Sequence, residues 1–258
     1  MSSVLAEIIR GVREDEALRR LTAAQLAEQI EIAPAPLDVL ATLKSRPFSV
    51  IAEVKRSSPS KGALAQIADP AALAKTYRDN GASVVSVLTE GRRFNGSIAD
   101  FKAVRNAIDI PILRKDFMVS EYLIRESRAI GADLILLIVA ALDDVQLKDF
   151  HHLATELGMC ALVEVHDREE LERALAIGPA IIGVNARDLK TLSVSASAFA
   201  ELIPAIPSEL YRVAESGIGN FDEAKFAREC GADAILVGEA LVRSPDAGST
   251  LREFLSLN

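Results

Sequence analysis

The sequence predicts an α/β chain folded as a single (β/α)8 TIM barrel over residues 1–258, with residues 1–47 as an N-terminal helical extension. Three observations carry that expectation. Eight short apolar runs centre on Ile51, Val85, Ile112, Ile135, Leu162, Ile182, Val213 and Ile235, and such runs read as strands buried on both faces of a parallel sheet. Helical patterns separate them, so that eight βα units fit into about 210 residues, the period of this barrel. The third is a phrase used three times, Gly81-Ala82-Ser83, Gly131-Ala132-Asp133 and Gly231-Ala232-Asp233, each opening a strand. There the glycine supplies a left-handed helix stop and the alanine lets the chain pack closely. An open doubly wound sheet is the alternative, but six strands would suffice for it and no GxGxxG follows the first strand.

Taken in order, the helices are expected at 70–80, 97–107, 120–130, 145–157, 168–177, 196–203, 221–230 and 249–257. Asp69 before Pro70 and Asn220 before Phe221 are clear start signals. Ahead of the first strand, Leu18, Leu21, Leu26 and Ile30 suggest one apolar helix face and Leu37, Val39, Leu40 and Leu43 another. This extension is expected to cap one barrel mouth. No low-complexity linker interrupts the chain, which predicts one domain.

Half of the residues are hydrophobic and 26% are charged, the balance of a soluble globular protein. No apolar run has membrane-spanning length and the N-terminus has no export signal, so a cytoplasmic protein without a membrane partner is expected. A net charge of -8 argues against nucleic acid as the partner, but a local cluster of Lys and Arg can still bind a small anion. Cys160 and Cys230 lack CxxC spacing and read as buried free thiols, and His151, His152 and His166 read as solvated or capping residues without metal-ligand spacing. No metal or cofactor motif is present, and a monomer or weak homo-oligomer is expected.

The apolar runs share an ending. Val50-Ile51-Ala52 leads to Glu53 and Lys55, Ile112-Leu113 to Lys115, Leu162-Val163 to Glu164, Ile182-Gly183-Val184 to Asn185, and Val213-Ala214 to Glu215 and Ser216. Buried ionisable groups are costly, and in a parallel barrel these ends collect at the one rim where ligands bind. Glu53 and Lys55 point to the same side of their strand and can hold each other ionised, worth about 4 kcal/mol at roughly 4 Å in an effective dielectric of about 20. A partly buried Lys115 is expected to have a depressed pKa, suited to a general acid or a Schiff base, or else to a structural ion pair, whereas neighbouring carboxylates would keep it protonated. Glu164 could transfer protons or hold a lysine in place. The turns after the seventh and eighth strands, Ser216-Gly217-Ile218-Gly219 and Gly238-Glu239, have the position and composition of the phosphate site of many such barrels. At Glu239 only the backbone N–H is expected to take part.

The strings Ile51-Ala52-Glu53-Val54-Lys55-Arg56-Ser57-Ser58-Pro59-Ser60, Leu88-Thr89-Glu90, Phe94-Asn95-Gly96-Ser97, Leu113-Arg114-Lys115-Asp116-Phe117, Val163-Glu164-Val165-His166, Asn185-Ala186-Arg187-Asp188-Leu189 and Ala214-Glu215-Ser216-Gly217-Ile218 resemble the indole-3-glycerol-phosphate synthase family, in the family's order and across the chain. The resemblance implies ring closure, decarboxylation and dehydration of 1-(2-carboxyphenylamino)-1-deoxyribulose 5-phosphate without a cofactor. It implies Lys115 as the general acid, Glu53 and Lys55 as acid/base groups in dehydration, Glu164 as an orienting or cation-stabilising carboxylate, and Asn185 among the catalytic groups. The implied substrate-binding set is Ser58, Leu88, Phe94, Phe117, Leu136, Arg187, Leu189, Glu215, Ser216, Gly217, Gly238 and Glu239. Leu88, Phe94, Phe117, Leu136 and Leu189 would form the slot for the anthranilate ring. Two rivals are another phosphate-binding barrel, such as a phosphoribosyl isomerase, which would lack the Glu-x-Lys strand, and a silent sugar-phosphate sensor, against which the intact acid/base set argues.

Overall fold

Eight parallel strands close on themselves: β1 (Ser49–Val54), β2 (Val84–Leu88), β3 (Ile112–Lys115), β4 (Leu134–Ile138), β5 (Cys160–Val165), β6 (Ile181–Asn185), β7 (Tyr211–Glu215) and β8 (Ala234–Val237), with β8 pairing back onto β1. The computed structural model describes residues 4–188 and 191–257. Helices α1 (Val4–Arg19), α2 (Ala23–Ile32) and α3 (Val39–Lys44) precede the barrel. The connections carry α4 (Pro70–Asp79), α5 (Ile98–Arg105), α6 (Glu121–Ala129), α7 (Asp144–Glu156), α8 (Arg168–Ala176), α9 (Ser197–Leu202) and α10 (Phe221–Glu229), and α11 (Glu239–Arg243) and α12 (Ala247–Leu255) follow β8. All eight expected strands and the helices between them are present. The short α11 is an element that the sequence pattern did not reveal.

The repeated glycine phrase does what its composition suggests. Gly81, Gly131 and Gly231 have φ of 98°, 87° and 100°, conformations that cost a residue with a Cβ. At each copy the glycine N–H donates to a carbonyl three residues back and the alanine N–H to one five residues back, as in Ala82 N to Tyr77 O at 3.0 Å. The third position then laces neighbouring strands together at the bottom of the barrel. Asp133 accepts from the N–H of Ile112 at 2.8 Å, and Asp233 from that of Arg212 at 2.9 Å. Asp69 and Asn220 cap α4 and α10 as expected, accepting from Ala72 N and Glu223 N.

The extension differs from the expectation of a cap on one mouth. Its helix α1 lies at the C-terminal rim, where Val4, Leu5 and Ile8 line the central cleft. Arg92 and Arg93, in the loop after β2, grip it through Glu14, Asp15 and Glu7. Helix α2 packs on α6, and α3 reaches the opposite rim, where the Leu43 carbonyl accepts from Ser49 Oγ and Tyr211 Oη. Leu18 is 86% exposed, not part of an apolar face, because the helix ends at Arg19 and Thr22 starts a new one with a capping box. Val39 and Leu43 are buried as expected, while Leu37 is exposed. Cys160 and Cys230 are free thiols, half-buried where full burial was expected.

Behind the rim, Arg114 points away from the cleft while Lys115 points toward it, as strand alternation requires. Arg114 is fully buried and pairs with Asp116 at 3.2 Å and Glu126 at 2.8 Å, and Glu126 also takes Arg19 from the end of α1. Asp116 in turn accepts the N–H of Phe117 at 2.9 Å, so this network fixes the chain that carries both Lys115 and Phe117. Arg114→Met removes the cation and leaves two carboxylates with reduced compensation. We expect it to lower the unfolding free energy by about 3–5 kcal/mol in a urea titration.

Candidate active site

Four charged side chains from alternate strands meet where a barrel is ordinarily filled with a layer of branched apolar ones: Glu53 on β1, Lys115 on β3, Glu164 on β5 and Glu215 on β7. Each is the last or next-to-last residue of its strand. Lys115 Nζ sits 3.1 Å from Glu164 Oε2 and 2.9 Å from Glu215 Oε2, and Lys55 Nζ sits 2.6 Å from Glu53 Oε2. Two glycines make room for the carboxylates. A Cβ at Gly238 would stand 2.5 Å from Glu53 Oε2, and one at Gly183 would run into the Glu215 carboxylate.

These groups line a cleft of about 830 Å³, within the range of small-molecule sites. Leu88, Leu136, Phe94 and Phe117 supply apolar lining, with the two phenyl rings 6.2 Å apart and tilted by 41°. Ser58, Arg187, Ser216, Gly217, Gly238 and Glu239 line it elsewhere. Ser216 has a φ of 64°, a left-handed strain that a residue other than glycine keeps mainly at functional turns, and Gly217 follows at 68°. The Asn185 side-chain oxygen accepts the N–H of Arg187, whose guanidinium donates to Ser60 Oγ and to the Leu192 carbonyl. The Glu239 carboxylate is 2.7 Å from Lys61 Nζ and 3.4 Å from Arg243. All the described candidate residues therefore face one cleft; Leu189 lies outside the described residues.

Electrostatics separate the carboxylates. Burial alone would lower the Lys115 pKa, the direction expected from sequence, but Glu164, Glu215 and Glu53 more than offset it and the ammonium is held well above the usual lysine range. The depressed pKa is thus corrected: a cation ringed by carboxylates from three other strands stays charged. Glu164 is pushed up by burial yet ends well below the ordinary carboxylate range because of Lys115, His166 and Asn185. Glu215 moves the other way, since burial and the nearby Glu164 outweigh Lys115.

Sequence reasoning missed several contributors. His166 is not a solvated or capping residue: its ring is half-buried between Glu164 and Glu170. The four-residue spacing from His166 to Glu170 was the available signal. Lys61 and Ser60 belong to a hairpin of two-residue strands, Ser57–Ser58 and Gly62–Ala63, that carries the loop after β1 over the cleft. Val4, Leu5 and Ile8 enter the cleft from the extension, and no local pattern marks them.

A model of the family described as indole-3-glycerol phosphate synthase matches residues 3–254. The chain belongs to that family. Relatives named indole-3-glycerol phosphate synthase include one from Micrococcus luteus, 56% identical over 98% of this chain and 97% of the relative. Another, from Mycolicibacterium vanbaalenii, is 54% identical over 99% and 94%. The fold alone is shared with thiamine phosphate pyrophosphorylase from Pyrococcus furiosus, at a TM-score of 0.61 and 16% identity over 84% of this chain and 96% of that one. The synthase family supplies a carboxy-lyase step of tryptophan biosynthesis, acting on a phosphorylated small molecule.

Because the folded-state pKa of Glu215 is raised, its contribution to stability is fully present below about 4.5 and is lost as the pH rises through the raised value. Glu215→Gln keeps an oxygen for Lys115 without the charge. The stability of the variant relative to the wild type is expected to rise as the pH goes from about 4.5 to about 8, in denaturation curves across that range.

Proposed function

We propose that this cleft closes the indole ring: 1-(2-carboxyphenylamino)-1-deoxyribulose 5-phosphate enters with its anthranilate ring in the Leu88, Phe94, Phe117 and Leu136 slot and its phosphate on the turns at Ser216-Gly217 and Gly238-Glu239. The observation that carries the reading is a lysine held charged between two buried carboxylates, in one cleft with apolar side chains and a glycine-containing turn. Attack of the ring carbon on the ketose carbonyl builds negative charge on its oxygen, and Lys115 gives that oxygen a proton. The attacking ring loses aromaticity and becomes cationic, and Glu164 is the carboxylate we assign to stabilise it. Loss of carbon dioxide restores an electron pair to the ring. Departure of the hydroxyl as water then needs an acid and a base, the role we assign to Glu53 and Lys55. No electrons enter or leave, so acid/base groups suffice. Asn185 and Arg187 hold the substrate carboxylate and hydroxyls, and Ser58 contacts the substrate from the hairpin.

Lys61 and Arg243 supply cations at the phosphate end, where the dianion would compete with the Glu239 carboxylate for them. The free partner is this small anion, not nucleic acid or membrane, and the enzyme acts in the cytoplasm as a monomer or weak homo-oligomer. Among the described residues no helix is long and apolar enough to cross a membrane.

The chain contains no Trp, so its own emission is weak and product indole is easily seen. Adding substrate should give new indole fluorescence with time; binding without that signal would favour the sensor. Lys115→Ala should lower turnover by about 10² or more while barely changing affinity for a phosphate-bearing product analogue. Equal losses in both measurements would place Lys115 in binding instead.

A further inference from the structure

His166 is the last charged link of the site and no step above uses it. Its Nδ1 lies 2.8 Å from Glu170 Oε2, and its Nε2 lies 3.4 Å from Glu164 Oε1 and, among the described residues, is buried without a hydrogen-bond partner. Glu170 Oε2 also accepts the backbone N–H of His166 at 2.9 Å. With Nδ1 carrying the ring proton, the same oxygen accepts from both the backbone and the ring. A neutral ring would then turn the Nε2 lone pair toward a second carboxylate oxygen. Only an imidazolium faces both oxygens favourably.

The two oxygens of Glu164 are divided. Oε2 faces Lys115 and Oε1 faces His166. Glu215 serves as an internal comparison: it takes the same lysine through Oε2, but among the described residues its buried Oε1 has no hydrogen-bond partner. Two carboxylates thus share one ammonium, and among the described residues Glu164 is the one with a second cationic group behind it.

We propose that His166, anchored by Glu170, is the positioning residue of Glu164: an imidazolium that keeps this carboxylate ionised and turned so that its other oxygen meets Lys115. The proposal rests on the reading of Glu164 as a participant in ring closure. The charged groups facing the ring are Glu164 on its own strand and Glu170 on the following helix, with Lys115 and Glu215 beyond Glu164. In agreement, burial pushes the imidazole down but the two carboxylates outweigh it, raising its pKa to about 10.

Two experiments decide it. Nitrogen-15 spectra of the substrate-free protein, with the ring assigned by its loss in His166→Asn, should show a charged ring through about pH 8; titration near the ordinary value of about 6.5 overturns the proposal. In kinetics, His166→Asn should lower kcat roughly tenfold with KM nearly unchanged, the scale on which orienting partners act. Glu170→Gln should lower kcat in the same way by less, and His166→Lys should restore part of the loss. An unchanged kcat in both His166→Asn and Glu170→Gln, or no recovery in His166→Lys, sinks the idea, whatever happens to thermal stability. If the wild type itself fails to form indole, the functional reading falls, while the spectra still report the charge on the ring.

Discussion

Everything at the rim depends on compensating one buried ammonium. Taking a lysine out of water costs several kcal/mol, and attraction to carboxylates offsets this only with close geometry. No local segment provides that geometry here. Lys115 is on β3, its partners are on β5 and β7, and Glu53 is on β1, so the charges find each other only when the barrel closes. Closure and site assembly are therefore one event. The close approach of Gly183 to Glu215 and of Gly238 to Glu53 shows how little spare volume the arrangement leaves.

The same logic explains why so much of this molecule can be read from its sequence. A strand buried on both faces has no use for an ionisable residue except at its end, so Glu53, Lys115, Glu164 and Glu215 announce themselves against their apolar surroundings. The Gly-Ala-Ser/Asp phrase is equally legible, because the backbone bonds and positive φ of each helix stop are local. What stays hidden is set by distant partners. The direction of the Lys115 pKa depends on how many carboxylates converge from other strands, which one strand cannot reveal. Leu18 looks like a core residue until the Thr22 capping box breaks the helix before it. The extension divides between the two rims because barrel and helix surfaces dictate its path, not its own periodicity.

His166 shows this limit from inside the site. In sequence it is a histidine after a strand, beside Asp167, which caps α8 through the Glu170 N–H. That cap starts the helix at a fixed angle and brings Glu170 back over the imidazole. A helix start that looks merely structural thereby sets the surroundings of the ring and, through it, of Glu164.

The outcome is a functional asymmetry between chemically identical groups. Glu164 and Glu215 lie at nearly equal distances from Lys115 and both are almost wholly buried. Environment alone separates them, one backed by His166 and Asn185 and drawn toward permanent ionisation, the other, among the described residues, without a partner for its second oxygen and drawn toward holding a proton. When neighbouring acids are pushed apart in this way, one can meet a positive charge while the other exchanges protons. In the proposed reaction the ionised member, Glu164, is the one assigned to meet the cation built in the ring, and the difference between the two glutamates comes from what stands on their far sides.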